Sequence, residues 1–191
     1  MSETQLPEII LQKIQEGHIA YNSILVNNHF EYMFMDIDCS NLPEPRWNES
    51  ASFEQVKPLL SKLPANNRPC LYYFEIVEPL KTDIILQAYK SFQANENLKH
   101  RASAVLKKNP PLETNTLYVG KIQKHIKGRV QVHLAYYNNG GTAGLQLACW
   151  ASQIGLKLKL HVYSFEPNMY SFITPLELPF AQSKNPLIGK H

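Results

Sequence analysis

The chain has 191 residues, of which 44% are hydrophobic and 18% are charged, and its formal net charge at neutral pH is +3. This composition is typical of a folded domain with a hydrophobic core, and it excludes a disordered chain and a collagen-like repeat. No apolar run approaches about 20 residues, the length that a membrane-spanning helix needs, and the first residues show no secretion signal. We therefore expect a cytoplasmic protein that does not enter a membrane.

The charges are distributed unevenly along the chain. Residues 1–56 contain nine acidic and two basic residues, a balance of −7, whereas residues 99–129 contain eight basic residues and one acidic residue, a balance of +7. A cluster of Lys and Arg attracts nucleic acid, because neutralising phosphates releases the counterions condensed on the polyanion. The alternative is a solvated basic face without a ligand. The candidate phosphate-binding residues are Lys107, Lys108, Lys124 and Lys127.

The first 65 residues predict an acidic N-terminal extension with both helical and extended elements. A helix is predicted from Leu6 to Ile14, with Ile19 on the same face, followed by a strand from Phe30 to Ile37 and a second helix from Ser52 to Leu60. The run from Pro64 to Pro69 is rich in residues that stop helices and start turns, so it predicts a domain boundary. We expect the extension to cover the basic surface, to contact a second copy in a homodimer, or to stand as a solvated addition.

Residues 66–191 predict a mixed α+β domain, because strands and helices follow one another without a regular βαβ repeat. After a strand at 70–77 comes a helical insertion over about 78–115, with helices predicted at 82–92 and 98–106. A strand at 116–119, helices at 122–134 and 142–150, a strand at 156–162 and a helix at 169–177 complete the predicted elements.

The residues around the end of the strand at residue 119 are of types that can bind a ligand or take part in a reaction. Gly120, two residues after Tyr118, ends the predicted strand, and because it has no side chain the backbone there can turn or approach a ligand. Lys121 adds a positive charge. In the following helix, Arg129 and His133 are four residues apart, so they share one face. The pattern predicts a cationic, hydrogen-bonding cluster beside a strand end.

With these residues placed, the chain from about Pro69 onward resembles the GIY-YIG endonuclease superfamily. Cys70-Leu71-Tyr72 is similar to the first signature of that family, with Tyr73 as an alternative to Tyr72, and Tyr118-Val119-Gly120 is similar to the second. Cys70 replaces the usual glycine, and an insertion separates two signatures that a short turn normally joins. The resemblance implies a small antiparallel or mixed β-sheet flanked by helices.

The resemblance also covers residues outside the two signatures. Arg129 and His133 match the arginine on the family's helix and the histidine one turn later. Glu177 stands where the metal-ligating glutamate belongs, and Asn185 resembles the late asparagine, which we expect to be structural or to contact nucleic acid. The implied activity is metal-dependent hydrolysis of nucleic acid phosphodiester bonds, with DNA as the expected substrate.

The resemblance implies a role for each member of the site. Glu177 would hold one divalent cation, Mg²⁺ or Mn²⁺, which polarises the phosphate. Tyr72 would help to deprotonate the attacking water, with Lys121, Arg129 or the metal lowering its phenol pKa. The planar fork of Arg129 would grip the phosphate.

His133 would orient water or phosphate, and Tyr118 would hydrogen-bond within the site. Two further readings stay open. One is a module that binds nucleic acid or protein and has lost turnover, and the other is a defence nuclease for a modified or structured substrate.

Overall fold

The structure is a computed structural model, which describes residues 7–45, 50–65, 67–78, 80–137 and 141–190. These parts of the chain form an α+β fold with a four-stranded antiparallel sheet and five α-helices, which confirms the predicted class. The strands are β1 (Phe30–Asp38), β2 (Cys70–Ile76), β3 (Thr116–Ile122) and β4 (Lys157–Phe165). The helices are α1 (Glu8–Asn27), α2 (Ser50–Ser61), α3 (Thr82–Ala94), α4 (Ile126–Leu134) and α5 (Thr174–Lys184).

The strand order in the sheet is β1-β4-β2-β3, so β2 and β4 are central and β3 is an edge strand. In the register of β2, Tyr72 lies opposite Gly120 of β3, and Tyr73 lies opposite Val119. Successive side chains on a strand point to opposite faces of the sheet. The two neighbouring tyrosines of β2 therefore serve different faces.

The segment before residue 66 contributes to the same sheet as the segment after it. Strand β1 pairs with β4 along its whole length, from Phe30 opposite Phe165 to Asp38 opposite Lys157. The predicted boundary falls in the turn that leads into β2, and Asn66 within it lies outside the described residues. Strand β1 is at the sheet edge remote from β3, the strand that carries the predicted site.

Each face of the sheet packs against helices. Helices α2, α3 and α4 cover the face of Tyr72 and Phe74, where Trp150 fills the centre of a large apolar core. Helices α1 and α5 cover part of the other face through Ala20 and Ala181. Each fully buried large side chain contributes about 1.5–3 kcal/mol to folding. None of the helices in the described segments is long and apolar enough to cross a membrane.

The insertion between β2 and β3 contains one α-helix where two were predicted. Helix α3 is confirmed, but the predicted helix at 98–106 is wrong. Residues 96–98 form a 3₁₀ turn, Ser103 bridges to Gly144, and Leu106 bridges to Ile188. The segment is extended because its backbone finds partners from distant parts of the chain, which outweighs local helix propensity.

Three other helices differ from the prediction. The helix predicted at 169–177 is instead α5, which begins at Thr174 and ends at Lys184. The helix predicted from residue 122 begins at Ile126, because β3 continues to Ile122 and His125 has a left-handed backbone with φ 65°. The helix predicted at 142–150 is replaced by two 3₁₀ turns, at Leu147–Cys149 and Ala151–Ile154. Here the Trp150 indole N–H donates to the carbonyl of Leu145 at 2.8 Å, which anchors the buried ring in the core.

Candidate active site

Two tyrosines from adjacent strands pack on the same face of the sheet. Tyr72 on β2 and Tyr118 on β3 stack with ring centroids 6.3 Å apart and an interplanar angle of 28°. Gly120 lies between them, and a Cβ at this position would come within 2.6 Å of Tyr72 Oη and 2.8 Å of Tyr118 Cε1. A side chain would therefore collide with both rings, and glycine permits the close approach.

Arg129 joins the two hydroxyls. Its Nε donates to Tyr72 Oη at 2.9 Å, and its Nη2 donates to Tyr118 Oη at 3.1 Å. Nη1 donates to the carbonyl of Ala143 at 2.7 Å. Burial alone would lower the pKa of Arg129, but the oxygens of the two tyrosines raise it above its ordinary value, so the guanidinium stays charged. A guanidinium has five N–H donors, so these contacts leave donors for a ligand.

His133 lies one turn after Arg129 in α4 and is fully buried. Its Nδ1 accepts a hydrogen bond from the backbone N–H of Leu145 at 3.2 Å, so the proton of the neutral ring is on Nε2. Nε2 then donates to Tyr72 Oη at 3.0 Å. Burial, and secondarily the charge of Arg129, lowers the pKa of His133 well below its usual value, which keeps the imidazole neutral.

Tyr72 is the buried centre of this cluster. Its hydroxyl oxygen accepts from both Arg129 Nε and His133 Nε2, and the residue has no exposed surface. Burial raises the pKa of Tyr72 above its ordinary value, and the charge of Arg129 opposes the rise. The phenol is therefore neutral, and it holds the two helix residues in position. Tyr118, by contrast, is half-buried.

Glu177, the carboxylate of the predicted site, is on α5. It lies in the first turn of that helix, where Pro175 is tolerated because the first N–H groups of a helix have no partner within it. Burial is the main cause that raises the pKa of Tyr72, and the charge of Glu177, a half-buried carboxylate, is the last of the contributing causes. Lys121 leaves β3 toward the other face, and its Nζ donates to Thr174 Oγ1 at 2.8 Å.

Among the residues predicted to form the site, Glu177 is the carboxylate that could bind a divalent cation. Among the described residues, no group of three or more His, Cys, Asp or Glu side chains could hold a metal. Mg²⁺ is commonly bound through one or two carboxylates, with water and substrate phosphate as the other ligands. A single carboxylate can satisfy that pattern, with Glu177 as the protein ligand.

Asn185 lies at the opposite end of α5 from Thr174. It caps the helix in a left-handed conformation, with φ 46° and ψ 60°, and its N–H donates to the carbonyl of Ala181 at 2.9 Å. The eight residue steps from Glu177 to Asn185 span about 12 Å of helix. This geometry accounts for the asparagine structurally, since Asn tolerates the left-handed region better than most residues.

The basic residues of the stretch 99–129 divide into surface and interior groups. Lys108 and Lys124 are exposed, while Lys107 and Lys127 are half-buried, and burial lowers the pKa of Lys107. Arg101 is buried, and its Nη1 donates to the carbonyl of Ala135 at 2.9 Å. The phosphate-attracting surface is therefore smaller than the sequence count implies.

Sequence reasoning missed two backbone groups that position the site, the carbonyl of Ala143 and the N–H of Leu145. Gly144 between them is packed tightly, since a Cβ there would lie 2.7 Å from the carbonyl oxygen of Val132. The insertion supports this loop, because the N–H of Ala104 donates to the carbonyl of Gly144 at 2.9 Å. Gly144 was the one sequence feature that could have indicated this close packing, because any residue type can supply a backbone N–H or carbonyl.

The structure separates Tyr73 from the cluster. Its ring stacks on His161 with centroids 4.2 Å apart, on the sheet face opposite to Arg129. Of the two candidate tyrosines on β2, Tyr72 is thus the one beside the arginine.

A cavity of about 860 Å³ lies at the other end of β2, away from the cluster. Its charged lining residues are Glu75, Lys81, Asp83, Glu113 and Lys159. The mixture of signs suits a polyanion poorly, so we locate the candidate site at the tyrosine cluster and not in the cavity.

The chain was compared with protein families, with curated proteins and with solved structures. No family model matches the chain, and neither does any curated protein or solved structure. Functional inference therefore depends on the geometry of the cluster and on the order of its residues along the chain.

Proposed function

We propose that this chain is a metal-dependent endonuclease that hydrolyses phosphodiester bonds in DNA. The observation that carries the proposal is the convergence of Arg129 with Tyr72, Tyr118 and His133, with the charge of Glu177 acting on the same hydroxyl. A partly buried cation held by two phenols is typical of a functional site. The resemblance of these residues, in the same order, to GIY-YIG endonucleases supports the same conclusion.

Arg129 supplies the positive charge that phosphodiester hydrolysis requires. Tyr72 and Tyr118 hold the guanidinium in a fixed orientation, so little reorganisation is needed when negative charge develops on the phosphate. Its remaining N–H donors can bind two phosphate oxygens, which a lysine ammonium does less well. Arg129 is therefore assigned to binding the scissile phosphate.

We assign the contact with the attacking water to Tyr118. Tyr72 has no exposed surface, and its oxygen already accepts two hydrogen bonds, whereas Tyr118 is half-buried and reaches the same guanidinium. A group that orients or deprotonates water must come within hydrogen-bonding distance of it. Tyr72 and His133 then act as positioning residues for Arg129.

Glu177 is assigned as the protein ligand of a divalent cation. When bound, Mg²⁺ or Mn²⁺ would polarise the phosphate and stabilise the leaving oxygen. The carboxylate itself lies on the first turn of α5. Lys121 joins β3 to the start of that helix, because its Nζ donates to Thr174 Oγ1.

The burial of Tyr72 favours a second candidate, a module that binds nucleic acid without turnover. In that case the cluster would be a structural centre, and the exposed Lys108 and Lys124 would attract phosphate in a salt-dependent manner. The two candidates differ in one measurable property, because only the first requires a divalent cation for a chemical reaction.

The test is cleavage of a panel of supercoiled, linear, branched and single-stranded DNA with Mg²⁺ or Mn²⁺. Wild type should cleave at least one substrate, and Glu177→Gln should reduce the rate by about 10²-fold or more. The matched control is Glu113→Gln, which removes an exposed carboxylate from the loop before β3. It should leave the rate unchanged.

Equal cleavage by wild type and Glu177→Gln would reject the assigned site. Salt-sensitive binding without cleavage of any substrate would favour the binding module. Circular dichroism of each variant separates a loss of function from a loss of folding.

A further inference from the structure

A row of exposed aromatic side chains lies on the sheet face opposite to the tyrosine cluster. Phe30, Tyr32 and Phe34 alternate along β1, with exposed fractions of 37%, 48% and 53%. Met35 and Ile37, on the other face of the strand, are buried in the core and hold β1 in place. We call Phe30, Tyr32 and Phe34 the aromatic platform. Contiguous exposed rings of this kind mark an interaction surface.

The central ring of the platform is held rigidly. His161 is 7% exposed, and its Nε2 lies 2.8 Å from Glu75 Oε2, so Nε2–H donates to the carboxylate. Nδ1 then accepts from Tyr32 Oη at 2.7 Å. His161 also stacks on Tyr73 with an interplanar angle of 4°. A ring fixed before binding loses little conformational entropy when a ligand stacks on it.

The spacing of the platform fits a nucleic acid strand whose bases are unstacked. The ring centroids of Tyr32 and Phe34 are 6.3 Å apart. This is nearly twice the rise of about 3.4 Å between successive bases in a stacked helix. Adjacent rings can therefore each receive a base from an extended single strand, whereas the bases of a duplex are already stacked on one another.

Two lysines lie beside the aromatic rings of this face. Lys159 Nζ is 4.8 Å from the ring centroid of Phe34, and Lys184 Nζ is 4.2 Å from that of Tyr73. Asp36 lies 3.8 Å from Lys159, which offsets part of the positive charge. The patch thus combines aromatic rings that can stack on bases with two nearby lysines, and single-strand-binding surfaces use both kinds of group.

We propose that Phe30, Tyr32 and Phe34 bind single-stranded nucleic acid by stacking, and that the substrate of this chain carries a single-stranded segment. The second part rests on the proposed nuclease function. Strands β1 and β3 are separated by three strand spacings of about 4.8 Å each, or about 14 Å across the sheet. Because the platform and Arg129 lie on opposite faces of the sheet, a single-stranded arm must also pass round the sheet edge while the phosphate to be cleaved lies at Arg129.

The test is fluorescence anisotropy with a labelled oligothymidylate of about 15 nucleotides and a duplex of equal length, without divalent cations. Tyr32→Ala and Phe34→Ala should each weaken binding of the single strand by about 5- to 100-fold and leave duplex binding unchanged. Tyr32→Phe keeps the ring and should bind nearly as wild type. The matched control is Leu112→Ala, which truncates an apolar side chain that is 90% exposed elsewhere.

Phe34→Leu distinguishes stacking from general apolar contact, because leucine keeps the apolar surface but has no aromatic face. Binding of the oligothymidylate should fall in this variant as well. The proposal is overturned if wild type does not bind the oligothymidylate, as expected of a surface for a protein partner. Wild-type affinity in both Tyr32→Ala and Phe34→Ala would overturn it too.

The outcome is separable from that of the nuclease proposal. Binding that depends on Tyr32 and Phe34, without cleavage by wild type in Mg²⁺, would support the platform and reject the nuclease. Cleavage that is unaffected in rate and substrate preference by Phe34→Ala would support the nuclease and reject the platform. A preference for branched DNA with single-stranded arms, lost in Phe34→Ala, would support both.

Discussion

Replacing Gly120 with alanine tests whether the two stacked tyrosines require bare backbone between them. The added Cβ would lie 2.6 Å from Oη and 2.7 Å from Cζ of Tyr72, and 2.8 Å from Cε1 of Tyr118. Tyr72 has little freedom to move, because it is fully buried and its oxygen accepts hydrogen bonds from Arg129 and His133. Overpacking at such a site costs about 1–3 kcal/mol of unfolding free energy.

The assay is urea denaturation combined with thermal melting. In a chain of this size each kcal/mol shifts Tm by about 2–4 °C, so we expect Gly120→Ala to lower Tm by about 2–12 °C. Gly128→Ala is the matched control, since Gly128 lies in α4 and a Cβ there meets nothing within 4 Å. Alanine in a helix is favoured over glycine by about 0.5–1 kcal/mol, so the control should be more stable than wild type. Wild-type stability of Gly120→Ala, or equal effects of the two substitutions, would refute the packing described for the cluster.

Three further predictions follow from the same geometry. Tyr72→Phe leaves Arg129 Nε and His133 Nε2 without their acceptor, and urea denaturation should show a loss of about 1–3 kcal/mol; no loss would mean that these hydrogen bonds contribute little. Because burial lowers the pKa of His133 in the folded state, the unfolded chain binds more protons below about pH 6.5, so stability should fall as the pH drops from 7 toward 5. The slope from this group is at most about 1.4 kcal/mol per pH unit, and a profile that is equally steep in His133→Gln would contradict the assignment. Asn185 has φ 46°, so Asn185→Ala should lose about 1 kcal/mol of unfolding free energy, measured by thermal denaturation. Asn185→Gly should keep both stability and DNA affinity. Weaker DNA binding by the glycine variant would instead indicate that Asn185 contacts nucleic acid.

The strands were predictable because their pattern is local. In β4, Leu158, Leu160 and Val162 alternate with polar residues, and the structure buries all three in the sheet. The segment at 98–106 was not predictable in this way. It has helical spacing, but its backbone pairs with residues 144 and 188, which are far away in the sequence. Such long-range partners override a weak local preference.

The candidate site was predictable in its side chains but not in its environment. The four-residue spacing of Arg129 and His133, and the two tyrosines of the signatures, indicated four groups that the structure brings together. Lys121, predicted in the same cluster, instead leaves β3 toward the other face. The full burial of Tyr72 could not be read from the sequence, because it depends on how α4 and the loop after it close over β2. The partners at Ala143 and Leu145 are backbone groups, which any residue type could supply.

The most direct test of the central claim is the rate of Mg²⁺-dependent DNA cleavage by wild type and by Arg129→Lys. Lysine keeps the positive charge but lacks the planar fork that donates to Tyr72, Tyr118 and Ala143 at once. We predict that wild type cleaves and that Arg129→Lys, folded and still bound to DNA, is slower by about 10²-fold or more. Equal rates for the two proteins, or DNA binding by wild type without any cleavage, would contradict the account.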